Sequence, residues 1–189
     1  MNRRWLAPAL FGALCLAQIA APASMIARYE ATLRRGTVFK VRTAPVDPVD
    51  AFRGRYVWFR LDLDPVEQDG TILGGTVWVS LEEGPDGFAK VTRVSTTRPP
   101  HGSYVGAQAI PADWRPDGSG PGRIQLVLPH DRYYMEESKA PRAELAARRR
   151  GRTAPGSTWV TIRVRDGVGA VERLWIDGVP VEDYVRRAG

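Results

Sequence analysis

Few side chains in this sequence are of a type and spacing that could carry out chemistry. The two histidines, His101 and His130, are too far apart to form the closely spaced pair typical of a metal site, and each is interpreted as a loop residue. Cys15 is the single cysteine and lies in the apolar N-terminal run, which leaves the rest of the chain without a disulfide or a thiolate ligand. Ser138 and Lys139 are adjacent, and adjacent side chains do not face one another as a dyad would require. The sequence therefore predicts no catalytic set, no metal site and no cofactor.

Paired carboxylates offer the remaining route to catalysis. Asp47 and Asp50 enclose a Pro-Val step, and Glu136 and Glu137 follow two tyrosines. If such acids met in a cleft near Tyr56, they would suit an envelope hydrolase or a domain that binds a cell-wall ligand. Pairing of the two glutamates with nearby arginines is the simpler interpretation. An enzyme is therefore the alternative hypothesis, and a binding domain is favoured.

The N-terminus has the composition of a segment that enters a membrane. Residues 1–27 carry charges only at Arg3 and Arg4, and the uncharged run Trp5–Ala27 is long enough to cross the hydrocarbon core as a helix. The run also fits a cleaved signal peptide, with a small-residue site at Ala21-Pro22-Ala23. Both interpretations predict export of the rest of the chain. The domain organisation that follows is an N-terminal anchor over 1–30 and a body over 37–185.

The positive charge of the chain is local. The formal net charge is +6, and the basic residues between Lys139 and Arg152, together with Arg3 and Arg4, account for the whole excess. No general electropositive face is implied, and no nucleic-acid partner is expected. Arg148, Arg149 and Arg150 form a predicted basic surface cluster that could meet anionic lipid headgroups or a partner. A solvated helix end is the other interpretation, because basic residues are favoured in a last turn.

The body shows the alternation of apolar and polar residues that is typical of β-strands. Strands are predicted at 38–42, 56–61, 76–81, 88–94, 123–128, 132–135, 158–164 and 170–176. Between them lie Asp-Gly and Gly-Gly steps that supply the positive φ angles of tight turns. The fold class is therefore mainly β, an antiparallel sandwich or a partly open barrel with an N-terminal transmembrane helix and one short surface helix.

Two helical segments and one loop are predicted to interrupt these strands. Asp47-Pro48 begins a one-turn helix that Gly54 can end. The short surface helix covers Ser138–Arg150, with Ser138 as its cap, Gly151 as its stop and Leu145 as its strong apolar contact. The segment Thr97–Gly122, rich in Pro and Gly, is predicted to be a long loop that contains a short strand at 105–110.

The stretch from Ala44 to Leu61 resembles the bacterial family of GDYXXLXY proteins. Gly54 and Tyr56 match the naming motif, whereas Arg55, Phe59 and Leu61 stand where the motif has Asp, Leu and Tyr. The segment Arg132–Ser138 resembles the aromatic and acidic segment that precedes the basic helix in this family. The strand from Leu174 to Gly178 is similar to the family's closing strand. The likeness spans about Thr37 to Val181.

The resemblance implies a retained membrane segment, a β-rich extracytoplasmic domain and genes that often lie beside those of multi-pass membrane proteins. It favours the anchor over the cleaved signal, and Arg55 argues against a catalytic acid at that position. The leading hypothesis is a single-pass protein of the bacterial cytoplasmic membrane, with a periplasmic or otherwise extracytoplasmic accessory domain that binds a multi-pass partner. The candidate ligand- or partner-binding residues are Asp47, Arg53, Gly54, Tyr56, Tyr134 and Glu137.

Overall fold

A computed structural model describes residues 3–45, 56–67, 72–113 and 122–187. The elements in chain order are α1 (Arg3–Arg35), β1 (Thr37–Pro45), β2 (Tyr56–Asp62), β3 (Val66–Glu67), β4 (Gly75–Glu83), β5 (Ala89–Ser95), β6 (Tyr104–Pro111), β7 (Arg123–Val127), β8 (Arg132–Tyr134), α2 (Ala140–Thr153), β9 (Thr158–Arg165), β10 (Val168–Ile176), β11 (Val179–Pro180) and α3 (Val181–Arg187).

The strands form two antiparallel sheets. The first has the order β11-β10-β9-β1-β2-β8, and the second has the order β3-β7-β6-β4-β5. The first sheet curls, since β10 also contacts β8 at the sheet's other side. An isolated parallel bridge between Val105 and Gly167 links the second sheet to the turn before β10. The predicted fold class, a mainly β sandwich or partly open barrel behind an apolar helix, is confirmed.

The core lies between the two sheets and follows from the period-two alternation of their strands. In β2 the side chains of Val57, Phe59 and Leu61 are buried, while Trp58 and Arg60 point the other way. The same alternation buries Val77, Val79 and Leu81 in β4 and Val160, Ile162 and Val164 in β9. Removing these apolar surfaces from water is the main force that holds the sheets together.

The eight strands predicted outside the loop are confirmed, with shifts of a few residues at their ends. The short strand predicted at 105–110 within the segment Thr97–Gly122 is confirmed as β6, which runs from Tyr104 to Pro111 in the centre of the second sheet. Its sequence holds small residues of low β propensity. A Cβ on Gly106 would lie 3.6 Å from the Trp78 ring, an ordinary van der Waals contact, so this ring lies close beside the strand.

Helix α2 is present, but the prediction of its ends and of its contacts is wrong. Ser138 does not cap it, because its hydroxyl donates to Glu136 Oε1 at 2.7 Å and the helix begins without a side-chain cap. The helix also passes through Gly151 and ends at Thr153. Leu145 is 48% exposed, and the buried face consists of Ala140, Ala143 and Gly151. Small residues let the helix backbone lie close to β1 and β2, which α2 contacts.

A third helix, α3, was not predicted from the sequence. It follows the hairpin of β10 and β11, whose turn holds Asp177 and Gly178 at φ angles of 51° and 76°. Val181 and Val185 are buried in the core, and α3 contacts α2 and β10. Among the described residues of the body, α3 thus adds a second short helix to the predicted surface helix.

Helix α1 continues without interruption from the apolar N-terminal run into the body. Over Pro8–Arg35 it is long and apolar enough to cross a membrane, judged by length and composition alone, and its most apolar window has no buried residue. Its last turns pack against β9 and β10, where Thr32 is buried. Only Gly36 separates α1 from β1, and the Gly36 N–H donates to the Thr32 carbonyl at 2.8 Å. The helix and the sheet therefore form one continuous unit.

Candidate functional site

Two of the candidate residues meet on the outer side of the first sheet. Tyr56 at the start of β2 is the register partner of Tyr134 at the end of β8. Their ring centroids are 5.7 Å apart at an angle of 62°, an edge-to-face contact. The guanidinium carbon of Arg132 lies 5.1 Å from the centre of the Tyr56 ring. We call Tyr56, Arg132 and Tyr134 the tyrosine–arginine cluster; Tyr134 is 67% exposed.

The cluster carries a stable positive charge. A hydrogen bond with Tyr134 and the charge of Asp131 raise the pKa of Arg132. Asp131 lies 3.5 Å from the Arg132 guanidinium and also accepts a hydrogen bond of 3.1 Å from the Trp58 indole. Because Asp131 is shared in this way, it fixes the start of β8 as well as orienting Arg132.

The residue between the cluster members, Tyr133, points the opposite way and fixes β8 to α3. Its hydroxyl donates to Glu182 Oε1 at 2.5 Å. Burial and the neighbouring Glu182 carboxylate raise the pKa of Tyr133 well above its ordinary value, so the phenol stays protonated and the bond persists. The strand that carries Tyr134 is thus held from both sides, by β2 and by α3.

Of the other candidate residues of this group, Glu137 lies within the described part of the chain. Glu137 is exposed in the turn between β8 and α2. Its neighbour Glu136 accepts hydrogen bonds from Lys139 and Ser138, which lower its pKa. Asp47, Arg53 and Gly54 lie outside the described residues, as do Asp50 and the predicted one-turn helix. The predicted meeting of these residues around one concavity stays a prediction.

A groove of about 400 Å³ lies between α2 and α3. One wall is a face of α2 whose residues recur at helical spacing, and the other wall is α3. The lining residues are Arg142, Leu145, Ala146, Arg149 and Arg150 from α2, and Tyr184 and Val185 from α3. Both apolar side chains and arginines line the groove. Such a groove is chemically suited to an apolar segment that also carries acidic side chains.

The three arginines of the predicted basic cluster have different surroundings. Arg150 makes a bidentate pair with Asp177, with N–O distances of 2.7 and 2.8 Å, which raises the pKa of Arg150 and fixes α2 to the β10–β11 turn. Arg149 is exposed at the groove, and Arg148 is half-buried. The charge available to a partner at the groove therefore comes from Arg142 and Arg149.

The groove was missed in the sequence because α3 was missed. Val181, Tyr184 and Val185 have the spacing of one helical face, with Glu182 and Asp183 in the first turn. This acidic start, followed by basic residues in the last turn, is the signal that could have identified the helix. Its seven residues are fewer than the usual window for helical periodicity.

His130 lies in the connection between β7 and β8, as its interpretation as a loop residue expected, at the point where the two sheets meet. Its Nε2 is 2.8 Å from the Gly169 carbonyl, which accepts the hydrogen bond when Nε2 carries the proton. Burial lowers the pKa of His130 below its ordinary value. The ring also borders an intersheet cavity of about 550 Å³ that Trp78 lines. In the described ranges, no three His, Cys, Asp or Glu side chains come close enough to hold a metal ion.

The fold and these surfaces define a class of protein: a β-rich domain of two curled antiparallel sheets, attached directly to an apolar helix that is long enough to cross a bilayer. A family model described as GDYXXLXY protein matches residues 18–174, and the chain belongs to this family. No curated protein and no solved structure matches the chain. The resemblance identified from the sequence is thereby confirmed.

Proposed function

We propose that this protein is a single-pass protein of the bacterial cytoplasmic membrane whose extracytoplasmic domain binds a multi-pass membrane partner. The observation that carries the proposal is the junction of α1 with the body. The last turns of α1 pack on β9 and β10, and Gly36 alone connects α1 to β1. A domain without a flexible tether stays at the membrane surface, where an integral membrane partner is accessible.

The dimensions of α1 support the anchoring. The uncharged run Trp5–Ala27 extends over about 35 Å as a helix, compared with about 30 Å for the hydrocarbon core. Its large apolar side chains, including Leu10, Phe11, Leu16 and Ile19, are exposed rather than packed on the body. Exposed apolar side chains over this length are stabilised by lipid.

The groove between α2 and α3 supports the binding role. Its two walls are fixed from outside, α2 by the Arg150–Asp177 pair and α3 by the Tyr133–Glu182 hydrogen bond. A preformed groove loses little conformational freedom on binding, which favours its use as a docking surface. Leu145, which lines the groove, is 48% exposed, and Arg142 and Arg149 would attract acidic side chains of the partner.

Site-specific photocrosslinking in native membranes tests the proposal. A photoreactive amino acid replaces Leu145 in the groove, and a matched variant carries it at Leu73, which is 62% exposed and lies two residues before β4 of the other sheet. We expect crosslinks to a multi-pass membrane protein at position 145 only, and a loss of these crosslinks when Arg142→Glu and Arg149→Glu are added. Equal yields at both positions, or no membrane protein among the products, would contradict the proposal.

The alternative function, a hydrolase or cell-wall-ligand-binding domain with paired carboxylates, is not favoured by a specific observation. Glu136 is occupied by Lys139 and Ser138, and it is exposed rather than set in a cleft. The binding role instead has a defined groove and a direct connection to the anchor.

A further inference from the structure

The tyrosine–arginine cluster lies beside the point where α1 leaves the body. The last turns of α1 pack on β10, and β10 in turn contacts β8, the strand that carries Tyr134. Tyr29 of α1 is close enough to Tyr134 for their phenol groups to interact electrostatically, and it is 43% exposed. The exposed side of the cluster therefore continues onto the surface of α1.

The position of Tyr29 along α1 fixes the height of this surface above the bilayer. Tyr29 follows Ala27, the last residue of the uncharged run, by two residues, which is about 3 Å along the helix axis. The headgroup layer on each side of the hydrocarbon core is roughly 5–8 Å thick. When the uncharged run spans the core, Tyr29 lies in the headgroup layer, and Tyr134, which is within electrostatic reach of Tyr29, lies near that level.

We propose that Tyr29, Tyr56, Tyr134 and Arg132 form a second membrane contact, which seats the domain on the phospholipid headgroups with Arg132 directed to lipid phosphate. The inference rests on the proposed anchoring by α1 and goes beyond it. It states which face of the domain is turned to the bilayer and which lipid group that face recognises.

The chemistry of the four side chains fits this ligand. Tyrosine is enriched at membrane interfaces because its ring enters the apolar side while its hydroxyl stays hydrated. A guanidinium matches the geometry of a phosphate and binds it through two parallel hydrogen bonds. The Arg132 side chain is 45% exposed, and its partner Asp131 lies at 3.5 Å, a distance that a stronger phosphate contact can replace.

The connection to the anchor makes the contact geometrically obligatory. Gly36 is the whole linker between α1 and β1, and a Cβ at this position would lie 2.5 Å from the Thr32 carbonyl oxygen, so the junction is closely packed. A domain attached in this way cannot rotate freely above the membrane. The same face, the one beside Tyr29, is presented to the headgroups in every molecule.

A single fluorescent label tests the inference on the full chain in vesicles. Cys15→Ser removes the one native cysteine, and an environment-sensitive dye is then attached at Tyr134→Cys. The matched variant carries the dye at His101→Cys. His101 is exposed and lies near Ser103, whose hydroxyl donates a hydrogen bond to the Thr37 hydroxyl at the start of β1. Arg35, the last residue of α1, is six residues beyond Tyr29 in the direction away from the membrane, about 9 Å along the helix axis, and Thr37 follows it. The vesicles contain equal amounts of phosphatidylcholine and phosphatidylglycerol, with a spin-labelled headgroup as quencher.

We expect headgroup quenching to be several-fold stronger for the label at 134 than for the label at 101. Arg132→Gln should reduce the quenching at 134 in these anionic vesicles, while circular dichroism shows an unchanged fold. Equal and weak quenching at both positions, in protein that floats with the vesicles, would overturn the second contact and leave the anchoring intact. Protein that fails to float with the vesicles would overturn the anchoring, and the second contact with it.

Discussion

His130 provides a pH-dependent test of how the two sheets are joined. Its Nε2 is hydrogen-bonded to the Gly169 carbonyl, and burial lowers its pKa in the folded protein. As the pH falls through about 6.5, the unfolded chain takes up a proton on this histidine before the folded chain does. The stability is therefore complete above about pH 6.5 and decreases on acidification until the lower pKa of the folded state is reached.

The size of the effect has an upper bound. A single histidine that stays neutral in the folded state lowers the free energy of unfolding by at most about 1.4 kcal/mol between pH 7.5 and 5.5. The other pKa shifts among the described carboxylates, at Asp86, Asp113 and Glu136, are downward, so their contributions are lost only at more acidic pH. A change in the free energy of unfolding between pH 7.5 and pH 5.5 therefore reports on the titration of a histidine.

The assay is urea unfolding of the full chain in detergent micelles, followed by tryptophan fluorescence at several pH values. His130→Gln retains an N–H that can reach the Gly169 carbonyl but does not titrate, and we expect it to abolish the pH dependence. His101→Gln, at an exposed position, should retain it. A pH dependence that persists in His130→Gln, or that disappears in His101→Gln, would refute the assignment.

Two further substitutions test the junction of α1 and the attachment of β8. Gly36→Ala places a Cβ 2.5 Å from the Thr32 carbonyl oxygen, and we expect a loss of about 2 kcal/mol of unfolding free energy in the same urea assay. Gly12→Ala, with open space around its Cβ, is the control and should not destabilise the body. Tyr133→Phe removes the hydrogen bond to Glu182 and should cost about 1.5 kcal/mol; an unchanged urea midpoint would show that this bond does not hold β8.

The positions of the longer strands could be predicted from the sequence, β6 among them, whereas the pairing between strands could not. β2 and β9 place large apolar side chains on every second residue, and burial follows that pattern. β6 contains Gly106, Ala107 and Ala109, and its strand conformation results from its pairing with β4 on one side and β7 on the other. Pairing partners that are distant in the sequence cannot be read from local periodicity.

Contacts between residues distant in the sequence also limited the prediction of the candidate site. Tyr56 and Tyr134 were both chosen from the sequence, but their contact depends on the register between β2 and β8, which is a tertiary property. His130 is a loop residue as predicted, but its hydrogen bond could not be predicted, because the acceptor, Gly169, comes 39 positions later. The glycine itself is the physical requirement, since a Cβ there would lie 2.5 Å from the His130 ring.

The naming motif of the family acquires a physical meaning from the alternation of β2. Phe59 and Leu61, which stand where the motif has Leu and Tyr, are both buried, so these positions accept different apolar residues as long as the core stays filled. Tyr56, which matches the motif, starts the strand on the opposite face and contacts Tyr134 and Arg132 instead of the core. Packing between the sheets cannot explain a tyrosine on that face. The proposed contact with the membrane surface explains it, because such a contact requires an amphipathic ring beside a cation near the end of the proposed anchor.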